Sequence, residues 1–219
     1  MLRAFQVKSD SHHNPMLETF DHPELDPRLQ WYCPPQRWSI ANGCLVIEPD
    51  AQTDYWQKTH YGFAVDNGHF LYLPVDGDFV LSTQVRFYPV HQYDQAGLMV
   101  RFSADRWLKT SVEFEPDEPD RLGAVVTRHG YSDWSTQNYP YDSKQLALRI
   151  RREADDYIVE YAKAIASDTE SEKHWTQIRM AHLENPEQLP IQCGVYACSP
   201  KGSGFRAEFD YLKVEEGRI

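Results

Sequence analysis

Residues 107–116 read WLKTSVEFEP. Leu108, Thr110, Val112 and Phe114 fall on even positions, and Trp107, Lys109, Ser111, Glu113 and Glu115 on odd ones. Successive side chains of a strand point to opposite faces. The stretch therefore predicts a strand with one apolar face and one face carrying a tryptophan, a lysine and two carboxylates. The pattern recurs elsewhere. Along 79–88, Phe79, Leu81, Val85 and Phe87 share one face, while Ser82, Gln84, Arg86 and Tyr88 share the other. Along 98–102, Leu98, Val100 and Phe102 oppose Met99 and Arg101. Sheets with one face on a core and one face toward water explain all three.

Further strands are predicted over 29–33, 44–48, 60–65, 69–73, 96–103, 122–128, 146–152, 157–163, 175–182, 191–198 and 205–215. Turn chemistry separates them, in ANG, DNG, VDGD, SADR, PDEPD, RHG, READD and SPKGSG. Asn-Gly tolerates the positive φ of a tight turn, so ANG and DNG are the strongest hairpin signals. No stretch keeps a 3.6-residue period, and 164–174 reads as a polar loop or one helical turn. Short, evenly spaced strands predict a β-sandwich or jelly roll. We read residues 1–15 as an N-terminal extension and 16–219 as a single β-sandwich domain.

Composition bounds the function. The chain has 219 residues, enough to bury a core without a disulfide staple. Its six tryptophans, thirteen tyrosines and ten phenylalanines favour strands. The net charge of −11 repels phosphate backbones and anionic lipid, which argues against nucleic-acid and membrane partners. The N-terminus shows no apolar signal segment, and no run reaches the ~18 apolar residues of a membrane helix. The four cysteines, Cys33, Cys44, Cys193 and Cys198, lack C-x-x-C spacing. They are expected as reduced thiols in a cytosolic protein, a Cys33–Cys44 bridge being the less favoured reading. The nine histidines do not cluster, and there is no phosphate loop, nucleophile elbow or dinucleotide fingerprint. PDEPD, at 116–120, reads as a solvated turn rather than a calcium loop, which needs 6–8 oxygens. No cofactor or metal is expected.

Five stretches carry a resemblance to a known family. They are RLQWYCPPQRWSIANGCLVIEP (28–49), TDYWQKTHYGF (53–63), YDQAGLMVRFSADRWLKTSVEFE (93–115), VVTRHGYSDWS (125–135) and IQCGVYACSPKGSGFRAEFDYLKV (191–214). Together they resemble the uncharacterised regulation-of-enolase-like family. That family is in turn similar to the concanavalin A-like lectin/glucanase jelly roll. The resemblance implies two curved, packed antiparallel sheets, with a concave face that binds sugars in relatives of the fold. It also implies, as an alternative, a regulatory protein-interaction module linked to carbohydrate metabolism.

On these grounds the odd face of WLKTSVEFEP has two readings. One is a ligand-binding groove, formed by Trp107, Lys109 and Glu113 with Arg101, Gln95, Arg86 and Trp134, where a ring stacks on a sugar face and charged groups bridge hydroxyls. The other is a structural ion-pair patch of Lys109 with Glu113. Asp133 and Trp134 are read within a turn, SDWS, where Asp133 can cap backbone N–H groups. Catalysis would need two carboxyl groups, about 5–5.5 Å apart in retaining and 6.5–9.5 Å in inverting glycosidases. Glu113 with Glu115, or with Asp133, are the pairs available. Glucanases of the implied fold carry E-x-D-x-x-E on one strand. Here the middle acid is Glu115, and the third, Glu118, lies beyond the strand-breaking Pro116. The expectation is non-catalytic binding of a carbohydrate or sugar-derived metabolite.

Overall fold

A computed structural model describes residues 16–164 and 173–217. The proposed extension at 1–15, and most of the predicted polar loop at 164–174, lie outside the described residues. No helix occurs among the described residues; seventeen strands do. In chain order these are β1 (Met16–Glu18), β2 (Gln30–Tyr32), β3 (Arg37–Ala41), β4 (Cys44–Glu48), β5 (Tyr55–Gln57) and β6 (Ala64–Asp66). Then come β7 (His69–Val75), β8 (Phe79–Tyr88), β9 (Gln95–Ser103), β10 (Arg106–Glu113), β11 (Arg121–Arg128) and β12 (Tyr131–Asn138). The last five are β13 (Gln145–Glu153), β14 (Asp156–Lys163), β15 (Thr176–His182), β16 (Ile191–Cys198) and β17 (Arg206–Glu216).

They form two large antiparallel sheets, stacked as a jelly-roll sandwich. One runs β15-β14-β13-β8-β17-β4-β3, with β1 also paired to β17. The other runs β12-β11-β10-β9-β16-β7-β2. The core between them is built by alternation. Leu108, Val112, Leu98, Val100, Leu122 and Val126 point inward from the second sheet, and Phe79, Leu81, Val85, Leu148 and Ile150 from the first. In β17 the inward phase shifts from odd to even, Phe209 to Leu212, because the register slips between Phe209 and Tyr211. A bulge of this kind leaves two successive residues facing out.

Several sequence expectations change. ANG is a tight turn with both Asn42 and Gly43 at positive φ, joining β3 to β4. DNG is not a hairpin: β6 pairs with β5 in a separate two-stranded sheet, and β7 enters the large sheet between β16 and β2. SDWS is not a turn but the middle of β12, where Trp134 pairs with Val125. The predicted strand at 60–65 shrinks to β6, because the preceding residues form a turn with Lys58, His60 and Gly62 at positive φ. PDEPD is tied down as a loop: Glu118 pairs with Arg121, and Asp120 with Lys144.

All four cysteines are free, so Cys33 and Cys44 are not bridged. Cys193 and Cys198 are fully buried, and burial pushes both thiols up; Cys33 is half-buried. A thiol reagent should therefore titrate four groups in denaturant but label Cys33 first in the folded protein. Fewer than four groups in denatured, unreduced protein kept from air would contradict this.

Candidate functional site

The odd residues of β10 point out of the sandwich, away from the core. They do not meet open solvent along their whole length, because the β5–β6 hairpin lies across them. Tyr55 packs edge-on against Trp107 and Tyr196, with ring centroids 6.1 Å away in each case. Its hydroxyl donates to the Gly68 carbonyl at 2.6 Å. Only glycine fits there: a Cβ on residue 68 would lie 2.3 Å from the Tyr55 ring and 2.5 Å from Cys198 Sγ. Phe70, Met99, Trp107, Val125, Tyr196 and Cys198 complete this second apolar cluster with Tyr55 and Trp56. The hairpin is thus held by side chains, together with backbone ties from the Gln57 N–H to Ser132 Oγ at 2.9 Å and from the Tyr32 hydroxyl to the Asp66 carbonyl at 3.1 Å.

Beside the hairpin a cavity of about 370 Å³ opens on this face. Its floor is a chain of polar groups. Lys109 Nζ donates to Gln95 Oε1 at 2.9 Å, and Gln95 Nε2 donates to Glu113 Oε2 at 3.0 Å. Tyr196 also donates to Gln95 Oε1, at 3.0 Å, which fixes the amide's orientation. Asp54, from the hairpin, brings its carboxylate to 3.6 Å from Lys109 Nζ and accepts the Tyr55 N–H at 2.7 Å. The walls are aromatic: Trp56, Tyr61, Phe63, Tyr93 and Trp134.

This setting raises Glu113 to about 8. Burial is the largest cause; Lys109 opposes it, and the neighbouring carboxylates of Asp54 and Glu115 add to it. Glu113 therefore carries a proton at neutral pH and can both donate and accept. The floor then offers an ammonium, an amide, a carboxylic acid and one carboxylate, an array suited to hydroxyl groups. No cluster of three or more metal-ligating side chains occurs among the described residues.

A family model described as "Protein of unknown function (DUF1349)" matches residues 31–217. The chain belongs to this family. Among curated proteins it is 32% identical over 179 residues to Regulation of enolase protein 1 of Saccharomyces cerevisiae, covering 82% of this chain and 85% of that one. It is 27% identical over 167 residues to an uncharacterised protein of Emericella nidulans, covering 73% and 79%. A crystal structure of a functionally unknown protein from Saccharomyces cerevisiae superposes with a TM-score of 0.77 at 29% identity, covering 88% of this chain and 98% of that one. The same fold occurs in the GH43 protein BlXynB from Bacillus licheniformis, with a TM-score of 0.70 at 19% identity. There the match covers 95% of this DUF1349 chain but 40% of the other protein, so the likeness concerns the fold of one part.

The structure brings some of the predicted site residues of this DUF1349 chain together and separates others. Lys109, Glu113, Gln95 and Trp134 line one cavity. Trp107 does not: it is fully buried beneath the hairpin, its Nε1 donating to the Ala104 carbonyl at 3.2 Å. Arg101 is sealed off, with Tyr32 stacked over it at 4.3 Å and Asp66 bonded at 2.7 Å. Arg86 belongs to β8 in the opposite sheet, where it pairs with Glu208 and Asp210. The expected Lys109–Glu113 ion pair is instead an indirect link through Gln95, and the partner of Lys109 is Asp54.

Neither proposed catalytic partner shares the cavity with Glu113. Glu115 lies past the end of β10 and accepts from Gln92 Nε2 at 2.7 Å. Asp133 is exposed and accepts from Arg179 at 2.8 Å. The acid that does share the cavity is Asp54, from the stretch TDYWQKTHYGF. Tyr61, Phe63 and Tyr93 were not singled out at all. The clustering of aromatics in TDYWQKTHYGF was visible, but its folding back over β10 has no local signal.

Proposed function

We propose that this cavity binds a small polyhydroxylated ligand, a carbohydrate or sugar-derived metabolite, without cleaving it. The observation that carries the reading is the Asp54–Lys109–Gln95–Glu113 floor set between aromatic walls. Aromatic faces suit the apolar face of a sugar ring, and a few convergent polar groups fix its hydroxyls. Four free cysteines support a reducing, cytosolic setting. The test is a thermal-shift and calorimetric screen against neutral sugars, sugar acids and sugar phosphates. A ligand present at about 100 times its Kd should stabilise the fold by about 2.7 kcal/mol. Trp134→Ala and Tyr61→Ala should abolish that gain. A panel with no binder, or binding that both variants retain, overturns the reading.

One observation favours a second reading, glycoside cleavage. A protonated Glu113 beside the carboxylate of Asp54 has the two ionisation states that an acid–base pair needs. The pair would then be Glu113 with Asp54, not with Glu115 or Asp133. Turnover of aryl glycosides that is lost in both Glu113→Gln and Asp54→Asn would establish it over simple binding.

A further inference from the structure

The Glu113 cavity does not end at its aromatic wall. Trp56, Tyr61 and Trp134 also line a second cavity of about 500 Å³, together with Thr59, His60, Ser132 and Asp133. The three rings therefore form a ridge between two hollows. Tyr61 is 55% exposed and Phe63 45%, although large aromatic side chains are usually well covered. The Tyr61 ring is held on several sides: stacked on Phe63 at 5.9 Å, edge-on to Trp56 at 5.5 Å, and edge-on to His60 at 4.8 Å.

The backbone beneath the ridge is costly. Lys58 and His60, neither of them glycine, sit at φ of 54° and 63°. Left-handed backbone is strained for residues that carry a Cβ, and persists where the surrounding structure holds it. The turn is closed by Lys58 N–H to the Phe63 carbonyl at 2.8 Å and by Gly62 N–H to the Lys58 carbonyl at 2.7 Å. One polar side chain at the second hollow has hydrogen-bonding capacity to spare. The His60 ring makes no hydrogen bond among the described residues, whereas the Asp133 side chain lies on the core-side face of β12, opposite Val126, and bonds Arg179 of the other sheet.

We propose that the site takes a saccharide of two or more rings, one ring seated over Lys109 and Glu113 and the next crossing Tyr61 and Trp134 into the second hollow. This rests on the carbohydrate-binding reading of the Glu113 cavity and goes further by fixing the ligand's length. The Glu113 cavity lies near the lower end of the roughly 300–1,000 Å³ range of small-molecule sites. A monosaccharide there would leave the ridge and the second hollow without a role. A chain of rings uses both: aromatic surface at the crossing, and hydrogen-bonding groups on either side.

Calorimetric titration with glucose, xylose and galactose, and with their β-1,4-linked di- and tetrasaccharides, tests this. In at least one series the step from one ring to two should tighten binding by about tenfold or more. His60→Asn, which tolerates the left-handed backbone, should remove most of that gain while lowering monosaccharide affinity far less. Equal affinity for one and two rings overturns the inference but leaves the parent reading standing. A gain that survives this substitution also overturns it, because the second ring then lies elsewhere. If no saccharide of any length binds, both fail.

Discussion

Trp107→Ala should destabilise the protein by about 3–5 kcal/mol, the cost of emptying a large aromatic site in a packed interior. Trp107 lies among the largest fully buried side chains, although the alternation of β10 puts it on the polar side of the strand. Its ring contacts Tyr55, and the Lys109 ammonium stands 5.7 Å from the ring centroid. Truncation would undercut the β5–β6 hairpin and with it Asp54, Trp56 and Tyr61, so ligand binding should fall as a consequence of lost structure. Trp134→Ala gives the contrast. That residue is half-buried on the cavity wall, so its loss should cost about 1 kcal/mol or less in stability and act on binding directly. Urea unfolding of both variants decides between these roles. A Trp107→Ala protein as stable as the wild type would show that the hairpin does not depend on this ring.

Stability should also fall as pH rises from about 5 to 9, and Glu113→Gln should remove that fall. In the unfolded chain the carboxyl releases its proton near 4.5; in the folded protein it keeps it to about 8. Between these values the folded state binds more protons, so raising the pH favours unfolding. The stabilisation is complete below the unfolded value and lost once the pH passes the folded one. The shift corresponds to roughly 3–5 kcal/mol across that window. Glutamine keeps the acceptor for Gln95 Nε2 and cannot ionise. The variant should therefore match the wild type near pH 5 and exceed it above pH 8. Urea midpoints at pH 5, 7 and 9 measure the difference directly. Parallel profiles would mean that Glu113 ionises as freely in the folded protein as in the unfolded one.

The strand pattern that identified the sandwich was legible because alternation is a local property. β8 and β10 each display their two faces within ten residues. Alternation does not say what covers the outer face, nor which sheet a strand joins. Arg86 and Arg101 both sit on the face away from the core, yet they belong to different sheets. Trp107 and Trp134 are alike in sequence terms, but a hairpin some fifty residues upstream buries one and leaves the other at a cavity wall. β12 was hidden for another reason. YSDWSTQN is rich in turn-forming residues, and as an edge strand it has only one neighbour to satisfy. β5 is three residues long, too short to show a period. The polar floor was half legible. Lys109, Gln95 and Glu113 follow from adjacent strands, whereas Asp54 reaches them only through the covering hairpin.

The placement of β16 and β17 bears on how the chain acquires its shape. Each of these late strands sits inside its sheet, β16 between β9 and β7, and β17 between β8 and β4. Until they arrive, both sheets are split, and each half presents an unpaired inner edge. Such edges template association with other chains, and ladders closed across long sequence separations form slowly, on millisecond to second timescales. Pro200 and Lys201, which border the Glu113 cavity, lie in the link between the two strands. A nascent chain shorter than this would have neither a closed sandwich nor a finished pocket, so the same final insertions that end its exposure to aggregation also complete the lining of the Glu113 cavity.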